Sequence, residues 1–535
     1  MTSSREGVWR QKPTAIYETE IVTCSLCGKM IPVKYWVVGQ ADGSEKIFCG
    51  PDCEQLYREY WLPKYGDQPS EKAQERSAEL MTTPIPPFTP KKVPEVRTRY
   101  RKIVTELPAP DSVPLLETMA RYEPRSMLGQ PPVIWDHAEG FQVYDHYGNM
   151  WLDWSSGVLV ANIGHSHPEV RQAILDEVER GLLHTYIFPN EARIRLVEKL
   201  VELAPPGLDK ALLLTTGSDV TEVALKLARG HGRMVGGEQK IRMISFTNAF
   251  HGRSLGAQLM GGIPKLKSWI GPLDESFLQV PFPDGFRCTD TSFELFLQSL
   301  ENAGVTPETV AGVIVESFQG GGVSFAPVEY MRRLREWCTR HDVVLVCDEV
   351  QAGFGRTGKM FAFEHYDIVP DILCCGKAIS AGLPMSAVIA RSALLDQYGP
   401  GEMSTTHSGN PVVARAALAN IEVILRERLV EKARSMGELL HADLRQLQVE
   451  FRPVIGAVHG KGLVAGIHIV QPGTTDPDSV LAHRIVMECF QRGLLMFAPV
   501  GMATVKICPP LIITPDAMQE GLQVLREAFR AATKG

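Results

Sequence analysis

No stretch of the 535-residue chain stays apolar over anything near the roughly 20 positions a membrane-spanning helix needs, so a helical membrane protein is not expected. Neither sign of charge dominates. Against 62 Asp and Glu stand 55 Lys and Arg, a formal net charge of −7, and a surface of that balance does not suit a general nucleic-acid binder. The first fifteen residues, Met1 to Ala15, lack the apolar core of a secretory signal. There is no internal repeat. Cysteine is sparse, odd in number (eleven) and uneven; the seven after residue 280 stand singly or as the pair Cys374-Cys375. That argues against a disulfide framework and for a reducing, cytoplasmic setting. What remains is ordinary globular composition, 44% hydrophobic and 22% charged.

Four segments follow from the pattern. Residues 1–66 hold the other four cysteines and a cluster of aromatics: Tyr35, Trp36, Phe48, Tyr57, Tyr60, Trp61 and Tyr65. Residues 67–109 read as a connector. A charged helix over Glu71 to Glu79 is followed by Thr82 to Pro90 with its four prolines, and then by a basic run from Lys91 to Lys102. The run reads as a solvated face rather than a nucleic-acid arm. From 110 to 424, apolar strands alternate with amphipathic helices. Ala211–Thr215, Arg242–Phe246, Ala311–Val315 and Val343–Cys347 read as strands; Asp219–Gly230 and Val328–His341 read as helices. Such alternation predicts an α/β fold with a large, mostly parallel sheet covered on both faces. Residues 425–535 predict a smaller α+β domain, with a hairpin at Gly456 to Gly466.

Three features of the large domain carry chemistry. Asp348 ends a buried strand, where α/β proteins bind ligands. Lys377 follows the strand after Pro370-Asp371-Ile372, flanked by Cys, Gly and Ala; a lysine so placed has a lowered pKa and can form a Schiff base. Thr215-Thr216-Gly217-Ser218 joins a strand to a helix whose first amides would hold a phosphate. Pyridoxal phosphate needs a lysine, a carboxylate at its ring nitrogen and a phosphate site, and here all three occur together. Taken singly, each has a blander reading as a structural strand end or a helix cap.

Over residues 110–535 the chain resembles the class III (omega) aminotransferases, of the type I pyridoxal-phosphate fold. The resemblance is carried by Ser156-Gly157, Gly164-His165-Ser166-His167-Pro168, Thr216-Gly217-Ser218, Phe250-His251-Gly252, Asp348-Glu349-Val350-Gln351 and Gly353 to Gly358. It continues through Pro370-Asp371-Ile372 before Lys377, Gly382-Leu383-Pro384, Thr406 to Pro411 and Pro509-Pro510-Leu511. It implies catalytic roles for Lys377, the Schiff-base lysine and proton carrier, and for Asp348, partner of the pyridine nitrogen. It implies further cofactor contacts from Phe250 stacked on the ring with His251 beside it, Gln351 at the phenolic oxygen, and Gly217 and Ser218 at the phosphate. Thr406 would reach the phosphate of a neighbouring subunit, which implies a homodimer or a dimer of dimers. The implied reaction moves an amino group from an amine or amino acid to a 2-oxo acid.

Within the family the resemblance runs toward dialkylglycine decarboxylases and 4-aminobutyrate aminotransferases, and three positions bear on substrate. Val158 stands where the decarboxylases carry a glutamine, and an apolar side chain does not hold a carboxylate ready to leave. Lys506 stands where a substrate arginine is found, and Glu316 matches that arginine's partner, so a Glu316–Lys506 pair is expected. These departures favour transamination over decarboxylation; a decarboxylase or an amino-acid epimerase is the alternative within the same chemistry. From another class, the alternative is a zinc-module binding or scaffold protein with an enzyme-like domain.

Near the N-terminus, Cys24-Ser25-Leu26-Cys27 and Cys49-Gly50-Pro51-Asp52-Cys53 have the spacing of a closed structural zinc site, with a helix expected over Glu54 to Tyr65. So small a module would take folding energy from the metal.

Overall fold

The computed structural model describes residues 8–11, 34–39, 45–48, 50–61, 88–498 and 503–534. The chain falls into two compact units, residues 1–87 and 88–535.

In the first unit three strands, Val8–Gln11, Lys34–Gly39 and Glu45–Phe48, form an antiparallel meander. Arg10 donates twice to the Glu45 carboxylate at 2.6 Å across its edge. A helix, Pro51–Leu56, widens into a looser turn at Tyr57–Trp61, so it starts earlier than expected. Val38, Phe48 and Tyr57 make a small core against which Trp36, Ile47 and Cys53 pack. Cys53 sits in the first turn of the helix, while Cys24, Cys27 and Cys49 lie outside the described residues, as does the charged stretch Glu71 to Glu79.

The second unit is built on a seven-stranded sheet. Its strands are β1 (Lys210–Leu214), β2 (Arg242–Phe246), β3 (Phe277–Val280), β4 (Val310–Glu316), β5 (Val344–Asp348), β6 (Ile372–Cys375) and β7 (Ser386–Ala390). The spatial order is β3-β2-β4-β5-β6-β7-β1. β3 through β6 run parallel, and β7 is antiparallel to both of its neighbours. Every residue of β4, β5, β6 and β7 is buried, which is why these segments are apolar except at their ends, where Glu316, Asp348 and Ser386 stand.

Helix α1 (Gly217–Gly236) lies close against the sheet, because a Cβ at Gly312 of β4 would stand 2.9 Å from that of Ala228. Helix α2 (Val328–Arg340) connects β4 to β5. The C-terminal part comprises α3 (Pro411–Arg426), α4 (Leu429–Glu450), the hairpin β8 (Ile455–Lys461) and β9 (Val464–Ile469), α5 (Ser479–Gln491), β10 (Thr504–Ile507) and α6 (Pro515–Thr533). β10 completes an antiparallel sheet with the hairpin.

Two long-range ties hold this part in place. The buried Arg356 guanidinium donates to Leu463 O (2.9 Å), Pro509 O (2.5 Å), Asn162 Oδ1 (2.6 Å) and Ser156 Oγ (3.2 Å), joining four distant segments. In the basic run after residue 90, Lys91, Lys92, Arg97 and Arg99 are exposed, as expected of a solvated face, and the exception lies at its end. Arg101 is largely buried and pairs with Glu520 of α6 at 2.6 Å, and its guanidinium also donates to Arg492 O.

Candidate active site

The register of the sheet assembles the site. Glu316 lies opposite Asp348 on parallel neighbours, so both carboxylates project from one face at the carboxyl edge. β6 stops at Cys375, and beyond Gly376 comes Lys377, held in the left-handed region at φ 45°. Past β1, Thr216 caps α1 reciprocally. Its hydroxyl accepts from Asp219 N at 3.2 Å, and Asp219 Oδ2 accepts from Thr216 N at 2.8 Å. The Gly217 and Ser218 amides, in the first turn of the helix, have no acceptor four residues behind them. Together these elements bound a cavity of about 480 Å³, lined by Gly217, Ser218, Phe250, His251, Arg253, Glu316, Asp348, Gln351 and Lys377 among others.

The charged groups are held from behind. His251 Nδ1 lies 2.8 Å from Asp348 Oδ2, with both side chains buried, and Asp348 Oδ1 accepts from Val350 N at 3.1 Å. Glu316 accepts from Phe250 N (3.0 Å) and Gly320 N (2.9 Å); burial pushes its carboxyl up to about 7. Burial also pulls Lys377 below the usual lysine range, against the opposing pull of Asp348 and Glu316. That favours the neutral amine a nucleophile requires.

Not every residue singled out in the sequence gathers here. Lys506 makes no pair with Glu316. Its ammonium donates instead to Gly320 O and Gln351 Oε1, both at 2.7 Å. Val158 is 47% exposed, lies in a left-handed run from Ser156 to Leu159 and does not line the cavity, whereas Val160 does. Thr406 is exposed on a loop and does not line its own chain's cavity.

Arg253 is a site residue that the sequence reading passed over, although it directly follows Phe250-His251-Gly252. It lines the cavity 5.5 Å from the Phe250 ring, its amide donates to Ser218 Oγ at 3.1 Å, and among the described residues no carboxylate pairs its guanidinium.

The residues fit pyridoxal phosphate. A cavity of this size suits a small cofactor with substrate. The start of α1 offers two amides to an anion. Gly217 leaves room that a side chain would close, since a Cβ there would meet Val350 Cγ1 at 2.9 Å. A lysine with lowered pKa and a hydrogen-bonded carboxylate face the same space. His251 Nε2 is buried there without a partner.

Comparison with known proteins agrees. The profile of the aminotransferase class-III family matches residues 125–529. A probable 4-aminobutyrate aminotransferase of Bacillus subtilis is 34% identical over 410 residues, which is 74% of this chain and 92% of that protein. An isoleucine 2-epimerase of Lentilactobacillus buchneri is 34% identical over 439 residues, 79% of this chain and 95% of that one. The crystal structure of a transaminase from the marine bacterium Virgibacillus superposes with a TM-score of 0.72 at 28% identity, covering 79% of this chain and 99% of that one. The chain belongs to the class III aminotransferases, enzymes that transfer amino groups with pyridoxal phosphate.

Proposed function

We propose that the enzyme takes the amino group of an amine or of an amino acid whose amino group lies away from its carboxylate, and passes it to a 2-oxo acid. The carrying observation is Lys377 at the end of β6, sharing one cavity with the His251–Asp348 pair, the start of α1 and an unpaired arginine. Pyridoxal phosphate supplies an electron sink for the carbon that bears the amino group.

The chain's own residues do the rest. Lys377 Nζ takes the proton from that carbon and returns one to the acceptor. Asp348, fixed by His251, presents its carboxyl group at the buried end of the site, where the ring nitrogen would lie. The Gly217 and Ser218 amides hold the phosphate, Phe250 packs against the ring, and Arg253 receives a carboxylate at the donor's far end. The test is the visible absorption of the purified enzyme, bleached by amino donors and restored by pyruvate or 2-oxoglutarate. Absence of that cycle would reject amino transfer, and release of CO₂ in step with turnover would replace proton removal by decarboxylation.

The argument against decarboxylation loses Val158, which is outside the cavity, and rests on the relatives. The epimerase relative keeps a second reading open. An epimerase would exchange the α-proton of an amino acid with solvent and yield no oxo acid.

The enzyme acts as a homodimer. The segment before α3 that carries Thr406 is tied to residues 183–190: Tyr186 Oη lies 2.8 Å from Ser404 Oγ, and Asn410 Nδ2 donates to Leu183 O at 2.7 Å. That second segment exposes Leu183, Ile187 and Phe188, an apolar face for a second copy to cover. Covering it would bring Thr406 to the partner's phosphate site.

The N-terminal module holds one structural zinc on Cys24, Cys27, Cys49 and Cys53. The paired spacing supports this, as does Cys53 in the first turn of a short helix. Metal analysis should return about one zinc per chain, and none after deletion of residues 1–87. The compartment is a reducing one, in keeping with six buried thiols in the main body. Among the described residues no helix is long and apolar enough to cross a membrane.

A further inference from the structure

Lys506 occupies an unusual position for a lysine. It lies on β10, opposite Gly466 of β9, and is 5% exposed, with the Phe318 and Phe497 rings 5.8 and 5.7 Å from its nitrogen. An ammonium has three N–H donors and no acceptor. Two are engaged, by Gly320 O and Gln351 Oε1 at 2.7 Å each.

The consequence falls on Gln351, which lines the cavity. A glutamine amide ordinarily chooses between two orientations. Beside an ammonium it has one, because the flipped amide would set donor against donor. Gln351 Nε2 is therefore a fixed N–H donor. Gly320 makes the approach possible, since a Cβ there would stand 2.1 Å from Nε2.

We propose, on the aminotransferase reading above, that Lys506 is a positioning residue. It holds the Gln351 amide so that Nε2 donates to the phenolic oxygen of the bound pyridoxal ring, and it does not receive the substrate's carboxylate. Three further observations agree. Burial pulls Lys506 down to about 8, still above neutral pH, so it remains the ammonium that the fixed amide orientation requires. A lysine already engaged by two oxygens lacks the fork with which arginine grips a carboxylate while keeping other partners. Arg253, with no carboxylate partner among the described residues, is the cation left to receive one.

Absorption spectra and cofactor dissociation constants of the reconstituted holoenzyme test this, together with donor kinetics. Lys506→Met frees the amide. It should shift the visible band and weaken cofactor binding about tenfold, lowering kcat while leaving donor KM unchanged. Lys506→Gln removes the charge but keeps an N–H donor to the same carbonyls, so it should retain the band and bind cofactor within about twofold of wild type. In a Gln351→Ala background, Lys506→Met should have no further effect on the band.

A carboxylate-binding role predicts the reverse. Both Lys506 variants would then raise donor KM and leave the band untouched, which would overturn the proposal. Should Lys506→Met not fold, the donor KM of Lys506→Gln decides alone: it stays unchanged if the lysine positions the amide and rises if the lysine binds the carboxylate. Wild-type enzyme with no donor-sensitive band would instead reject the aminotransferase reading itself.

Discussion

The two edges of the main sheet each carry a cavity, and the larger is not the active site. At the amino ends of the parallel strands a cleft of about 570 Å³ is lined by Arg332, Arg335, Arg391, Asp367 and Asp371, among others. Its central charges are matched to one another. Asp371 accepts from Arg335 and Arg391 at 2.8 Å each and from Leu345 N at 2.8 Å; Arg332 pairs with Asp367 at 3.1 Å. At the carboxyl ends the cavity of about 480 Å³ holds groups whose bonding is incomplete, a lysine pulled toward neutrality and a buried imidazole nitrogen with no partner, and beside them stands Arg253, exposed and without a carboxylate among the described residues. Unused bonding capacity, rather than volume, marks the place where a ligand belongs.

That contrast breaks most readily at Lys377. Lys377→Ala should cut amino transfer about 1,000-fold or more, measured as oxo-acid product in single turnovers with cofactor saturating. Reduction of the wild type by borohydride should fix the cofactor on the peptide that carries Lys377, and label on another lysine would move the active amine elsewhere. Arg253 sharpens the same contrast. Arg253→Ala should raise KM about tenfold to a hundredfold for donors with a carboxylate and leave simple amines unaffected. Equal loss on both classes would make the arginine structural.

The strands that deliver Glu316, Asp348 and Lys377 could be read from the sequence because a strand buried on both faces is apolar up to the residue that ends it. β4 is buried at all seven residues. The start of α1 was equally plain, since Thr216 and Asp219 form their caps across only three positions. Contacts closing over long separations left no local trace. His251 and Asp348 are 97 residues apart, and Lys506 and Gln351 are 155 apart. Sequence reading paired Lys506 with Glu316, the match of the glutamate that partners an arginine at this position in the resembling enzymes; the folded chain gives it two neutral oxygens instead. Val158 was misplaced for a different reason. A β-branched residue at φ 66° belongs to a turn that matching of motifs does not reveal.

Asp371 tests the other edge. Asp371→Ala leaves Arg335 and Arg391 without their shared carboxylate and Leu345 N without its acceptor. Breaking such a partly buried cluster should cost about 3 kcal/mol. A fall in Tm of about 5 °C would register it, with kcat within about twofold of wild type. A large loss of kcat with Tm unchanged would mean that this cleft, too, serves the reaction.

The smallest effect expected is a pH dependence from Glu316. Burial raises its carboxyl to about 7 in the folded chain, from 4.5 when solvated. Between those values the folded state binds more protons than the unfolded state, so stability contributed below about pH 4.5 is lost as pH rises through about 7. The full excursion is at most about 3 kcal/mol. Glu316→Gln cannot ionise. It also sets an NH₂ group against Phe250 N or Gly320 N, a penalty that does not vary with pH. The readout is therefore the difference in Tm between wild type and variant. Wild type should hold its greatest advantage at pH 5 and lose about 3 °C of it by pH 7.5. Glu349, also buried and raised to about 7, accepts from the Ala362 and Phe363 amides in both proteins and cancels in that difference. A constant gap across the range would mean that Glu316 is already ionised at pH 5, its charge held by Lys377 and Lys506 nearby.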